Sequence, residues 1–376
     1  MNNFGGGAGG GAVFGGGAGG GAGGGAGGGA GGGAGGGAGG GAGGGAGGGA
    51  GGLGSWAAAD ALRRSRDALA LPGDTNVYPM AANQPDFPTA DPNPARDLVN
   101  RIKHWDNWVL PYVVLPSLMA PLGFDVAANK TAVSLTLGGS PALTLHRPNL
   151  AQFMRELPSA IADAELREDR ASEILMQTTD TWSFFATVLP FRLDKTPFTC
   201  KLMAAAQELA LHVEMRFKHE FACARPNEYS AQIQPMIPTP LHGTYPMGHM
   251  CEAAVISELL IALIGAAANP PAQTRLAEQL RRLALRIGEN RIVAGVHFNV
   301  DLLAGQALGE WLAKYFIQFC SQAAGSHIHA PHDEFIATAS QASPAAPAAT
   351  ASFQLKDNQT LRSIWGEARA EWAWMR

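Results

Sequence analysis

Seven residues of this sequence have the types and spacing to hold an anion and do chemistry on it: Lys218, Arg225, Gly248, His249, Arg291, His297 and Asp301. Lys218 and Arg225 stand seven apart in 201-KLMAAAQELALHVEMRFKHEFACARP-226, a stretch with helical apolar spacing. On one helix that is about two turns, which points both cations the same way. Two neighbouring cations repel unless an anion lies between them. Pro246-Met247-Gly248-His249 opens an apolar run, MCEAAVISELLIAL, so His249 is predicted at a helix start. The unpaired N–H groups and the dipole of a helix N-terminus favour negative charge there. In 290-NRIVAGVHFNVD-301, Arg291, His297 and Asp301 are spaced for a helix. An Asp four residues after a His can accept from one imidazole nitrogen and leave the other as nucleophile or ligand. Taken singly, these are a solvated basic face, a turn histidine and a surface ion pair. Taken together, they make a pocket for a tetrahedral oxyanion carrying about two to three negative charges.

These residues need a scaffold, and the rest of the chain is patterned to supply one. Of the 49 glycines in 376 residues, 36 fall in residues 1–54, where GGGA repeats with period four from 15 to 52. Collagen needs Gly every third residue, so this is not collagen. The run buries nothing on ordering, and it reads as a flexible arm with a coil dimension of roughly 40 Å. Apolar spacing predicts helices over about 55–70, 97–121, 149–156, 158–189, 197–221, 248–267, 271–289, 298–322 and 358–375. Residues 131–145 alternate apolar and polar around Gly138-Gly139 and predict a hairpin. The expected fold is mainly α, a helical bundle with one small β-hairpin. The expected division is a low-complexity arm (1–54), a helical domain (55–325), and an Ala/Ser/Pro-rich linker with a C-terminal amphipathic helix (326–376).

Net charge is −4, which argues against nucleic acid bound through bulk charge. Cys200, Cys223, Cys251 and Cys320 lie far apart and read as reduced thiols. The N-terminus has no recognisable signal peptide, and no stretch is predicted to span a membrane, so the expectation is a cytoplasmic or otherwise soluble protein. Nothing in the sequence fixes the oligomeric state; a homo-oligomer is compatible with it. His327, His329 and His332 have the look of a metal cluster but read as a flexible surface tail.

The charged set resembles the signature of the type 2 phosphatidic acid phosphatase/vanadium-dependent haloperoxidase superfamily: K-x6-R-P, P-S-G-H, S-R-x5-H-x3-D. Here the chain reads Lys218-x6-Arg225-Pro226, Pro246-Met247-Gly248-His249 and Asn290-Arg291-x5-His297-x3-Asp301, nine of the eleven fixed positions. The resemblance covers about 170–320 and implies a haloperoxidase- or acid-phosphatase-like bundle. It implies that Lys218, Arg225 and Arg291 neutralise the equatorial oxygens of vanadate or phosphate, with the Gly248 N–H adding a donor. It further implies that His297 ligates vanadate, or attacks phosphorus in a phosphatase, and that His249 is the acid/base. The segment 294-AGVHF-298, with Gly305 and Gly309 after it, is more similar to the haloperoxidases. So is His242: algal bromoperoxidases similarly carry a second histidine seven residues before the acid/base histidine. The implied partners are hydrogen peroxide, a halide, with bromide preferred on account of His242, and an organic acceptor.

Two positions depart from the pattern. Met247 stands where the family has a serine that donates to an equatorial oxygen, and a thioether cannot donate. Losing one such donor weakens anion binding by roughly 1–3 kcal/mol. Asn290 replaces the second serine. The alternatives are a soluble phosphatase working through a phosphohistidine, and a non-enzymatic assembly protein with a degraded anion site.

Overall fold

A computed structural model of the chain describes residues 94–265, 270–336 and 350–375. The Gly-rich arm and the predicted 55–70 helix lie outside the described residues. Helices α1 (Pro94–Lys103) and α2 (Val109–Met119) occupy the predicted 97–121 span, with Trp105 in the break between them. Strands β1 (Leu122–Val126), β2 (Ala132–Leu137) and β3 (Ser140–His146) follow as an antiparallel meander. The hairpin sits where the sequence places it. Leu137 pairs with Ser140, and Gly138 (φ +59°) and Gly139 (φ +85°) supply the two positive-φ positions that a tight two-residue turn requires.

The predicted 158–189 helix is replaced by shorter pieces: α3 (Leu150–Ala162), a 3-10 turn (Asp163–Leu166), α4 (Arg167–Met176) and α5 (Trp182–Val188). An Asn149–Gln152 capping box starts α3, which runs on through Pro158. The Pro removes one N–H, and its would-be partner is the carbonyl of Met154, on the exposed side of the helix. The stop after α4 is the work of polar side chains. The Thr178 hydroxyl donates to the Leu175 carbonyl at 2.6 Å, and Asp180 Oδ1 accepts from Ser183 N at 3.0 Å to start α5.

The centre of the molecule is built by α6 (Pro197–Phe221), a single turn α7 (Pro226–Tyr229), α8 (Gly248–Ile264), α9 (Pro270–Val293) and α10 (Asn299–Ser321). Nearly every α8 side chain is buried, and α6, α9 and α10 all pack on it. Small residues set the closest approach. A Cβ at Gly305 would strike the Met247 carbonyl, and one at Gly309 would strike the Cys251 carbonyl and meet Ala254 Cβ at 2.7 Å, so α10 lies directly on α8.

The described C-terminal residues pack into the same core. Strands β4 (His327–Pro331) and β6 (Thr350–Gln354) pair antiparallel, and β5 (Asp333–Phe335) joins β3 in parallel. The sheet is therefore larger than the single predicted hairpin. His327 and His329 are on β4, and His332 bonds Thr144 Oγ1 at 2.9 Å, so the reading of this trio as a flexible tail is corrected. Helix α11 (Gln359–Glu371) buries Leu361, Ile364 and Trp365 against α6 and α10. The fold is mainly α with a small sheet, and no helix among the described residues is long and apolar enough to cross a membrane. All four cysteines are free and buried.

Candidate oxyanion site

Lys218 is in the last turn of α6, but Arg225 is not on that helix. Ala222 turns the chain left-handed (φ +46°), and Arg225 follows in extended backbone as the residue before α7. The expectation of one helix carrying both cations is thus corrected, although both side chains are buried in the same region. Arg291 ends α9. Gly295, at φ +81°, closes that helix, so His297 lies in the connection and Asp301 in the first turn of α10. Arg291, His297 and Asp301 therefore do not share a helix as their spacing suggested.

The His297–Asp301 pair forms nonetheless. Asp301 Oδ2 accepts from Phe298 N at 2.8 Å and from the Thr244 hydroxyl at 2.6 Å, and lies 3.2 Å from His297 Nδ1. Arg225 Nη1 stands 2.9 Å from His297 Nε2. Arginine can only donate, so Nε2 is the acceptor and the imidazole proton is on Nδ1, facing the carboxylate. Burial first, then Arg225 and Lys218, push the His297 pKa well below its usual value. His297 is a neutral imidazole with its lone pair on Nε2. Burial raises Asp301 to about 6, opposed by the Thr244 and Phe298 hydrogen bonds.

His249 sits in the first turn of α8 and donates Nε2–H to the Gln177 carbonyl at 3.1 Å, which leaves the lone pair on Nδ1. Burial and then Arg291 lower its pKa to about 3. Arg291 Nη2 donates to the Ile174 carbonyl at 2.9 Å and to Gln177 Oε1 at 3.3 Å. The Ile174 carbonyl is in the last turn of α4, where a helix leaves acceptors unpaired and favours positive charge. Arg291 Nε and Nη1 are buried without a hydrogen-bond partner among the described residues. Asn290 donates to Glu173 and to Gln177 Oε1, the oxygen that also accepts from Arg291, so the expectation that it lies outside the charge cluster is corrected.

Lys218 Nζ donates to the carbonyls of Pro246 at 2.5 Å and Thr244 at 3.4 Å. Arg225 reaches the carbonyls of His242, Gly243 and Val296 as well as His242 Nδ1 at 3.2 Å. His242 is half-buried beside this guanidinium, and burial, Lys218 and Arg225 lower its pKa to about 4. Burial lowers Lys218 to about 8 and Arg225 to about 10. Met247 is fully buried and is the N-cap of α8, with no side-chain cap hydrogen bond.

The sequence reading missed three residues of this neighbourhood. Thr244, inside the His242–His249 loop, fixes Asp301. Gln177 orients both His249 and Arg291, and nothing in its local sequence marks it. Glu214, fully buried one turn before Lys218, could have been found from that i, i+4 spacing. A Cβ on Gly248 would meet both Glu214 carboxyl oxygens, Oε2 at 2.8 Å.

A narrow cleft lined by Thr178, Thr179, Thr181 and Gln207 reaches His249 and Glu252. A wider cleft, about 750 Å³, lies between Arg155, Arg170, Asn299 and Phe335 and is lined by none of the seven residues. Among the described residues no group of three or more His, Cys, Asp or Glu side chains is placed to hold a bare metal ion. The donor set suits an oxyanion instead: one imidazole lone pair, two orphaned N–H groups of a buried arginine, and the start of a helix. No family model matches the chain, and no curated protein matches it.

Proposed function

We propose that the chain is a vanadate-dependent haloperoxidase-like enzyme that uses hydrogen peroxide to oxidise a halide, bromide by preference, for transfer to an organic acceptor. The observation that supports it most is the neutral His297: Asp301 and Thr244 hold Nδ1, and the Nε2 lone pair faces the Arg225 guanidinium, whose place an oxyanion would take, with Lys218 also acting on the ring. Vanadate, when bound there, supplies the Lewis-acidic centre that activates peroxide. The chain's residues do the rest. His297 is the group that holds the oxyanion. Arg291 offers Nε–H and Nη1–H, the Gly248 N–H adds a donor, and Lys218 and Arg225 exchange carbonyl partners for the anion. An anion offsets the three cations and so raises the proton affinity of His249, which makes that residue the proton carrier. His242 on Arg225 is the halide-selectivity residue.

A soluble phosphatase of the same superfamily is the second reading, and Met247 favours it. A thioether is oxidised readily by hypohalous acid, whereas phosphoryl transfer generates no oxidant. In that case His297 Nε2 forms a bond to phosphorus as the ester P–O bond breaks, and His249 protonates the departing oxygen. Water then cleaves the P–N bond.

The test is dye bromination by the purified chain with vanadate, peroxide and bromide, alongside His297→Ala. Turnover above that control is the expected result. Hydrolysis of a simple phosphomonoester, inhibited by vanadate, with no bromination selects the phosphatase. Failure to bind either oxyanion overturns both and leaves the non-enzymatic assembly reading.

A further inference from the structure

Glu214 is a buried carboxyl that the chemistry above does not use. Neither of its oxygens has a hydrogen-bond partner among the described residues, and both lie against Gly248 at the start of α8. The titratable groups that face it are Lys218 on its own helix, Arg225 beyond that helix, and Cys251 and Glu252 on α8. Two cations would be expected to draw an ionised carboxylate into an ion pair. Instead Lys218 and Arg225 direct their donors at carbonyl oxygens and histidines. Glu252, whose own pKa is raised by burial and then by Glu214, adds negative charge nearby if ionised. A bare carboxylate so placed is costly, and a neutral carboxyl much less so. Burial accordingly raises Glu214 to about 7, with Lys218 and Arg225 pulling the other way. The same helix start lacks a side-chain donor, because Met247 is its N-cap.

Resting on the oxyanion reading above, we propose that Glu214 is the specificity-determining residue of this site: neutral, it donates its O–H to an oxygen of the anion at the start of α8, and ionised, it excludes that anion. It takes the part that a hydroxyl at position 247 would otherwise play. Binding is then linked to one proton on Glu214. Since its carboxyl is neutral below its raised pKa and charged above it, affinity is full at lower pH and declines about tenfold per unit once Glu214 ionises.

The experiment is calorimetric titration of the full-length chain with tungstate, a dianion of constant charge between about pH 6 and 9, so the ligand adds no titration of its own. Wild type is compared with Glu214→Gln, which keeps a donor and cannot ionise, and with Glu214→Met, which keeps the length and loses the donor. Lys218, His249 and His297 are common to all three, so the differences report on position 214. The expected result is steep weakening with rising pH in wild type and a shallower profile in both variants. At the low end of the range, Glu214→Gln binds like wild type and Glu214→Met about tenfold more weakly. Equal pH profiles in wild type and Glu214→Gln overturn this inference and leave the oxyanion reading standing. Equal affinity of the Gln and Met variants overturns the donor role. A folded wild type that binds tungstate, vanadate and phosphate at no pH overturns both the inference and the reading beneath it.

Discussion

Glu371 and Glu214 each bring a carboxyl to the first turn of a buried helix, and the two are treated in opposite ways. At the start of α6, Glu371 Oε1 accepts from Phe198 N at 2.8 Å, and Oε2 accepts from Thr199 N at 2.9 Å and from the Thr199 hydroxyl at 2.6 Å. Trp372 Nε1 completes the arrangement by donating to the same hydroxyl. At the start of α8, Glu214 touches Gly248 with no hydrogen bond to either oxygen among the described residues. Asp301, in the first turn of α10, falls between them: Oδ2 is shared by three donors, and Oδ1 has none among the described residues. A satisfied carboxylate is a helix cap and contributes stability. An unsatisfied one contributes little to stability and keeps its capacity to bind for something else. The contrast separates a capped helix start from an uncapped one, where the proposed site lies.

The contrast can be broken most directly by deletion. Glu371→Ala removes three hydrogen bonds to a carboxylate and is expected to lower stability by about 4 kcal/mol in urea unfolding. At about pH 5, where Glu214 is neutral, Glu214→Met is expected to stay within about 1 kcal/mol of wild type, because apolar replacement of an unpaired buried acid is often neutral. Equal losses would make Glu214 a structural group like Glu371.

The next largest effect is in the pH dependence. The folded-state pKa of Glu214 is raised, so its contribution is fully present below the unfolded carboxyl value and is lost as pH rises through about 7. Between about pH 5 and 8 this amounts to roughly 2–3 kcal/mol. Over that range wild-type stability should fall by this amount relative to Glu214→Gln. Burial lowers Lys218 to about 8, so the rise in stability that it contributes falls mainly above this window.

A smaller effect sharpens the geometry. Gly248→Ala places a methyl against Glu214 and should cost about 2 kcal/mol, most of which Glu214→Ala restores in the double variant. A purely additive cycle would mean that backbone, not Glu214, limits the space. The smallest concerns the intermediate carboxylate. Thr244→Val removes one of three donors to Asp301 Oδ2 and should cost about 1 kcal/mol in thermal unfolding. No change would show that the remaining two donors satisfy Asp301 alone.

Much of the scaffold was legible because local chemistry wrote it. The Gly138-Gly139 turn and the spans of α6, α8 and α10 follow from turn residues and apolar spacing. The break after α4 was not, because periodicity carries no record of Thr178 and Asp180 turning their side chains onto nearby backbone. The candidate site was legible as a set of residues and illegible as a geometry. Spacing put Lys218 with Arg225, and Arg291 with His297, on shared helices. A left-handed Ala222 and a positive-φ Gly295 instead end those helices, and Arg225 and His297 come in from the connections. Gln177 left no local trace: its role depends on a carbonyl meeting His249 across the fold.

The sequence by itself determined which groups are present: three cations, two histidines, an aspartate, and a methionine where a hydroxyl would have donated. Residue type fixes charge and hydrogen-bonding capacity before any folding occurs. Only the tertiary structure decided how that capacity is spent. Burial and neighbours made His297 neutral with its proton on Nδ1, turned Arg291 partly onto the end of α4, and set an unpartnered Glu214 against Gly248. Desolvation and hydrogen-bond partnership are properties of packed surfaces, and packing brings together residues that are far apart in the chain.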